Sequence, residues 1–173
     1  MKALILGGVR SGKSRYAAAL AGEQTGPVTL IATGTALDEE MAERIAAHRA
    51  SRPTDWTVVE EPIHLAAALA AAAGSNRVLI VDCLTLWLTN LLCGDDPDAL
   101  RRELRNVVEI LPELPGHCVL VANEVGLGIV PVSALARRFT DEAGAMHQGL
   151  AAICDRVVLM VAGLPLIVKP GAP

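Results

Sequence analysis

Gly7-Gly8-Val9-Arg10-Ser11-Gly12-Lys13-Ser14 fits the pattern G-x-x-x-x-G-K-[ST] at every fixed position. The chemistry this spacing supports is the holding of a polyphosphate. Gly7, Gly8 and Gly12 permit a turn tight enough to point successive backbone N–H groups inward, and a helix starting near Lys13 brings its positive dipole end to the same point. Lys13 is placed to reach the terminal phosphates, and the Ser14 hydroxyl to ligate a magnesium ion that neutralises them. A Gly-rich strand-to-helix turn without a ligand would leave the Lys-Ser pair unexplained.

Four further stretches carry candidate chemistry. Arg77-Val78-Leu79-Ile80-Val81-Asp82 is an apolar strand closed by an acid, the pattern in which the acid bonds magnesium, often through water. Thr33 and Gly34 end another apolar stretch, Val28 to Ala32, and in open α/β sheets ligands collect outside the carboxyl ends of strands, so both are expected to face the phosphate loop's crevice. Glu60 reads either as a solvated carboxylate or as an acceptor for a nucleobase edge. His48, near the end of a helix, reads either as a solvated cap of the last carbonyls or as a nucleophile for phosphorus. Arg49 and Arg52 beside it form an unfavourable cluster of positive charge unless an anion shares the site.

These residues need elements to position them. Ala3 to Leu6 reads as a buried strand feeding the loop, and Ser14 to Ala21 as the helix after it. Asp38 to Arg49 has acids ahead and bases behind, the order a helix dipole favours, and Pro53 stops it. Residues 56–61 form a short strand and Pro62 opens an alanine-rich helix through Ala73. An amphipathic segment spans Thr85 to Leu92. The acidic turn 94–98 starts a polar, solvent-facing helix through Leu111. A strand at His117 to Ala122 runs into the loop 123–131, which belongs to the same crevice. Ser133 to Ile153 forms a helix with Arg137, Arg138, Asp141, His147 and Gln148 on its polar face. Strands at 155–161 and 164–168 close a hairpin around Gly163, which puts an antiparallel strand at the sheet edge.

Composition narrows the class. The 173 residues suit one domain, 1–173, and 52% apolar with 2% aromatic residues describes the Ala/Val/Leu/Ile interior of a layered α/β protein. A net charge of −4 supplies no field for a nucleic acid backbone, so no nucleic acid partner is expected. The four cysteines form no C-x-x-C pair. No apolar run approaches the roughly 18 residues of a membrane span, so no membrane insertion and a cytoplasmic location are expected.

With the loop, Ile31-Ala32-Thr33, Arg44-Ile45, His48-Arg49-x-x-Arg52-Pro53-x-x-Trp56, Glu60, Asp82, Thr89-Asn90-Leu91, Asn123-Glu124-Val125-Gly126 through Pro131, and Arg137, Phe139, Asp141, Gly144 and Gln148 in view, the chain resembles a known family. It is the bifunctional adenosylcobinamide kinase and adenosylcobinamide-phosphate guanylyltransferase family of cobalamin biosynthesis, and the likeness covers essentially the whole length. The resemblance implies a three-layer, RecA-like P-loop NTPase fold and trimeric assembly. It implies phosphorylation of adenosylcobinamide by ATP or GTP, then transfer of GMP from GTP through a covalent histidine intermediate, at the position of His48. By position it also implies nucleotide contacts from residues 7–14, Thr33, Gly34, Arg49, Arg52, Glu60 and Asp82, with Ser14 and Asp82 toward magnesium. His147 stands where relatives often show Asn and is given no role. Two other readings compete: a single-activity small-molecule kinase with a structural His48, and a nucleotide-binding regulatory module without turnover.

Overall fold

Apolar runs of four to six residues alternate with helical segments along the chain, and the central runs become strands buried on both faces, such as Lys2–Gly7 and Val78–Asp82, while the edge strands stay largely exposed. The computed structural model describes residues 1–36, 38–50 and 53–171, the side chains of Arg44 and His48 excepted. Its elements are β1 (Lys2–Gly7), α1 (Lys13–Gly22), β2 (Val28–Ala32), α2 (Glu39–Ala50), β3 (Thr57–Glu60), α3 (Leu65–Ala72) and β4 (Val78–Asp82). After them come α4 (Leu84–Cys93), α5 (Ala99–Ile110), β5 (His117–Asn123), α6 (Ala134–Ile153), β6 (Arg156–Val161) and β7 (Leu164–Lys169).

The strands form one sheet in the order β3-β2-β4-β5-β1-β6-β7. Every pairing is parallel except β6 with β7. The phosphate-loop strand β1 and the acid-bearing strand β4 are therefore not neighbours, since β5 lies between them. Side-chain alternation divides the core into two layers. Ala3 and Ile5 pack with Ala17 and Leu20 of α1. Leu4 packs on the other face with Leu69, Trp87, Leu88 and Leu150 from α3, α4 and α6. This is the expected three-layer, mostly parallel architecture with an antiparallel edge strand.

Three local expectations change. The helix expected from Pro62 begins at Leu65, because the Glu61 carboxylate accepts the N–H groups of Ile63 (2.9 Å) and His64 (2.8 Å) and holds the chain in a turn first. The helix read as solvent-facing, α5, buries Leu100, Glu103 and Val107 against the α3–α4–α6 layer, the apolar stripe showing through a charged sequence. His147, read as part of the polar face of α6, is buried. No helix among the described residues is long and apolar enough to cross a membrane.

Candidate active site

The phosphate loop leaves β1 at Gly7 and enters α1 at Lys13. Gly12 caps the helix with φ +96°, a conformation that disfavours any side chain, and a Cβ there would lie 3.3 Å from Gly163 Cα. That approach has a cause. The β6–β7 turn, Ala162-Gly163, has positive φ at both positions, the type I′ geometry of two-residue hairpins. It delivers the Gly163 N–H to the Ser11 carbonyl at 3.0 Å, so the edge hairpin braces the loop. Ser11 Oγ is buried with no hydrogen-bond partner among the described residues, a donor open to an anion.

Lys13 Nζ donates to the Gly8 carbonyl at 2.7 Å across the loop. Burial pushes its pKa down, and Cys83 and Asp82 oppose that by favouring the ammonium. Ser14 Oγ donates to Asp82 Oδ2 at 3.2 Å, so the two oxygen donors read from the sequence as magnesium ligands sit side by side. A hydroxyl and a carboxylate match what magnesium takes from a protein when phosphates and water fill its other positions.

The crevice above these residues has a volume of about 610 Å³. Val9, Arg10, Ser11, Gly12, Lys13, Ser14, Gly34, Arg49, Glu60 and Asp82 all line it, so residues spread over 74 positions of sequence share one cavity. Gly34 stands where a Cβ would come within 3.1 Å of Leu86. Arg49 and Glu60 are joined by an ion pair across the crevice's α2 side. Asp38 starts that helix by accepting the Met41 N–H at 2.7 Å. His48 lies in its last turn between Ala47 and Arg49, both of which line the crevice. The His48 side chain and Arg52 lie outside the described residues.

Thr33 is placed differently from Gly34. Its hydroxyl donates to the Cys83 carbonyl at 2.6 Å and accepts the Cys83 N–H at 3.1 Å, and the residue is fully buried. Thr33 thus ties the end of β2 to the end of β4, and Asn90 Nδ2 adds a bond to its carbonyl at 2.7 Å.

Some lining residues carried no motif. Met41 and Ile45 of α2 and Leu86 of α4 make an apolar wall. The i, i+4 spacing of Met41 and Ile45 was legible as a stripe but not its destination. Asn123, at the end of β5, also lines the crevice and is fixed by its N–H on Thr85 Oγ1 at 2.7 Å.

A phosphate loop, an acid two strands away bonded to the loop's serine, and a crevice at the carboxyl ends of a parallel sheet define a P-loop nucleotide-binding protein of the α/β class. The family model described as cobinamide kinase / cobinamide phosphate guanyltransferase matches residues 3–168, and the chain belongs to that family, whose name states a kinase and a guanylyltransferase activity. It is similar to the bifunctional adenosylcobalamin biosynthesis protein CobP of Pseudomonas aeruginosa, with 56% identity over 169 residues and 98% of each chain covered. It is also similar to the bifunctional adenosylcobalamin biosynthesis protein CobU of Escherichia coli K12, with 43% identity over 98% of this chain and 100% of the relative. A solved structure from Pyrococcus horikoshii OT3 shares the fold at a TM-score of 0.52, covering 98% of this chain and 86% of its own, with 10% identity.

Proposed function

We propose that the chain phosphorylates the aminopropanol hydroxyl of adenosylcobinamide with ATP or GTP, then transfers GMP from GTP onto that phosphate through a covalent intermediate on His48. The carrying observation is the crevice itself, where Lys13, Ser14 and Asp82 face the helix turn that bears His48. The backbone of residues 7–14 and the Lys13 ammonium bind the phosphates of either nucleotide. Ser14 and Asp82 would hold magnesium, which would neutralise charge at the phosphate oxygens.

In the guanylyl half, the neutral His48 imidazole attacks the α-phosphorus of GTP and pyrophosphate leaves; the corrinoid phosphate then displaces the imidazole and gives adenosylcobinamide-GDP. Arg49 and Arg52 steady the charge on the transferring group, and Glu60 accepts hydrogen bonds from the base. GMP transfer is expected to draw the α2 end toward the loop. The enzyme works in the cytoplasm as a homo-oligomer, a trimer. Strongly exposed Leu127, Ile129 and Val132 support assembly, since a face of this kind is commonly covered by another chain.

The test is incubation with magnesium and GTP labelled at the α-phosphate, denaturation, and assay for acid-labile, base-stable label in the wild type and in His48→Ala. Label present in the first and absent in the second is the expected result. No label, with corrinoid-dependent transfer from γ-labelled nucleotide retained, would leave a kinase in which His48 is an ordinary helix end.

A further inference from the structure

Glu124 follows the last residue of β5, the strand between the phosphate-loop strand and the strand ending in Asp82. Its N–H donates to the Gly7 carbonyl at 3.0 Å, which fixes it beside the first residue of the loop. Strand alternation sends Asn123 to the α1 side, where it lines the crevice. Glu124 is sent to the opposite side, toward α6. There its Oε1 accepts the Gly126 N–H at 2.5 Å, and its Oε2 lies 3.7 Å from Nδ1 of His147. His147 is 8% exposed, and its Nε2 is buried without a hydrogen-bond partner among the described residues. A buried imidazole with one nitrogen orphaned and the other turned to a carboxylate is costly for a fold to keep without a use.

The loop and the α1 N-terminus hold the polyphosphate on one side of the sheet's carboxyl edge. An acceptor attacking the γ-phosphorus in line approaches opposite the bond to the β,γ-bridging oxygen. The end of β5 lies between the loop strand and the Asp82 strand, and Glu124 is the first residue past it, with its carboxylate on the α6 side. Resting on the kinase half of the function proposed above, we infer that Glu124 is the general base of phosphoryl transfer to the corrinoid hydroxyl, and that His147 is the residue that positions its carboxylate.

The step balances without a further reactant. As the hydroxyl oxygen bonds the γ-phosphorus, its proton passes to the Glu124 carboxylate. The bond from that phosphorus to the β,γ-bridging oxygen breaks, and the nucleoside diphosphate leaves with the electron pair. Glu124 then loses the proton to solvent, to which its side chain is partly open. His147, neutral because burial lowers its pKa against the pull of Glu124, sets Nδ1 3.7 Å from Oε2 and by this packing confines the carboxylate.

The test measures γ-phosphate transfer from labelled GTP to cobinamide in the wild type, Glu124→Gln, His147→Leu and His147→Asn, with GTP-induced thermal shift to verify that each variant folds and binds nucleotide. Glu124→Gln is expected to lower kcat by about 100-fold or more, the usual worth of a general base, with KM for GTP within about twofold. His147→Leu is expected to lower kcat about tenfold at constant KM for cobinamide, and His147→Asn, which restores a polar group beside Oε2, to recover most of it. A Glu124→Gln kcat within threefold of the wild type, in a variant that still binds GTP, overturns the assignment. Absence of corrinoid-dependent transfer in the wild type itself overturns the kinase reading and the assignment with it.

Discussion

Ser14 Oγ donates to Asp82 Oδ2 at 3.2 Å, joining the first turn of α1 to the end of β4 across the intervening strand β5. Two residues 68 positions apart thus present adjacent oxygens at the floor of one crevice. If both serve one magnesium ion, their effects cannot add. Ser14→Ala and Asp82→Asn are each expected to raise the magnesium concentration for half-maximal transfer by about tenfold to 100-fold, the range for groups that hold or orient a metal. The double variant should be little worse than the worse single one. Titrating magnesium in the γ-phosphate transfer assay decides this, and additive effects would mean the residues act apart.

Trp87 anchors the layer beneath the site. It is fully buried in α4, and its Nε1–H donates to the Ile63 carbonyl at 2.8 Å. Trp87→Ala is expected to cost about 3–5 kcal/mol, since it empties a core position and removes one of the two hydrogen bonds to the Ile63 carbonyl. Trp87→Phe keeps most of the volume and should cost less than half as much. Urea unfolding followed by circular dichroism measures both, and equal losses would place the cost in the hydrogen bond.

How far the sequence led can be judged residue by residue. Continuous apolar runs such as Val78 to Val81 mark buried parallel strands, and the phosphate-loop spacing leaves one reading, so β1, β4 and the loop were legible. Thr33 was legible as a strand-end residue, but whether a hydroxyl faces a ligand or the next strand depends on which strand is next, and here Cys83 takes both of its hydrogen bonds. Glu103 and His147 look like surface residues by type. Their burial follows from the stacking of α5 and α6, a tertiary fact that a single helix period does not contain. The bracing of the loop by Gly163 likewise joins segments that sequence order keeps 152 positions apart, Ser11 to Gly163.

The burial of His147 has a consequence for stability against pH. Its folded-state pKa lies below 6.5, chiefly through burial, and His117 is shifted the same way, chiefly through burial and then by the N-terminal amine and Lys2. Between those depressed values and about 6.5 the unfolded chain binds more protons than the folded one, so stability rises with pH there. The histidine contribution is therefore complete above about 6.5 and is lost as pH falls toward the folded-state values. Melting temperature should drop from pH 7.5 to pH 5.5, and His147→Asn should flatten part of that drop while His117 keeps the rest. A His147→Asn profile parallel to the wild type would show that the imidazole titrates as it does in water.

Arg49 and Glu60 meet across the crevice, and both side chains are more than half exposed, at 55% and 61%. An exposed pair of this kind is worth about 0–1 kcal/mol, because solvent screens it and two long side chains are fixed to make it. Under the proposed function, a nucleoside triphosphate would separate the two cheaply, freeing Arg49 for phosphate and Glu60 for the base. Two different losses follow from one substitution. Arg49→Ala should move the unfolding free energy by no more than about 1 kcal/mol, while lowering α-label transfer to the enzyme by about 100-fold, the scale on which a charge-stabilising donor acts in a transition state. Measuring both on the same preparation separates the roles. A large loss of stability with transfer intact would make the pair a structural clasp, whereas loss of transfer at unchanged stability would mean that Arg49 acts on the nucleotide.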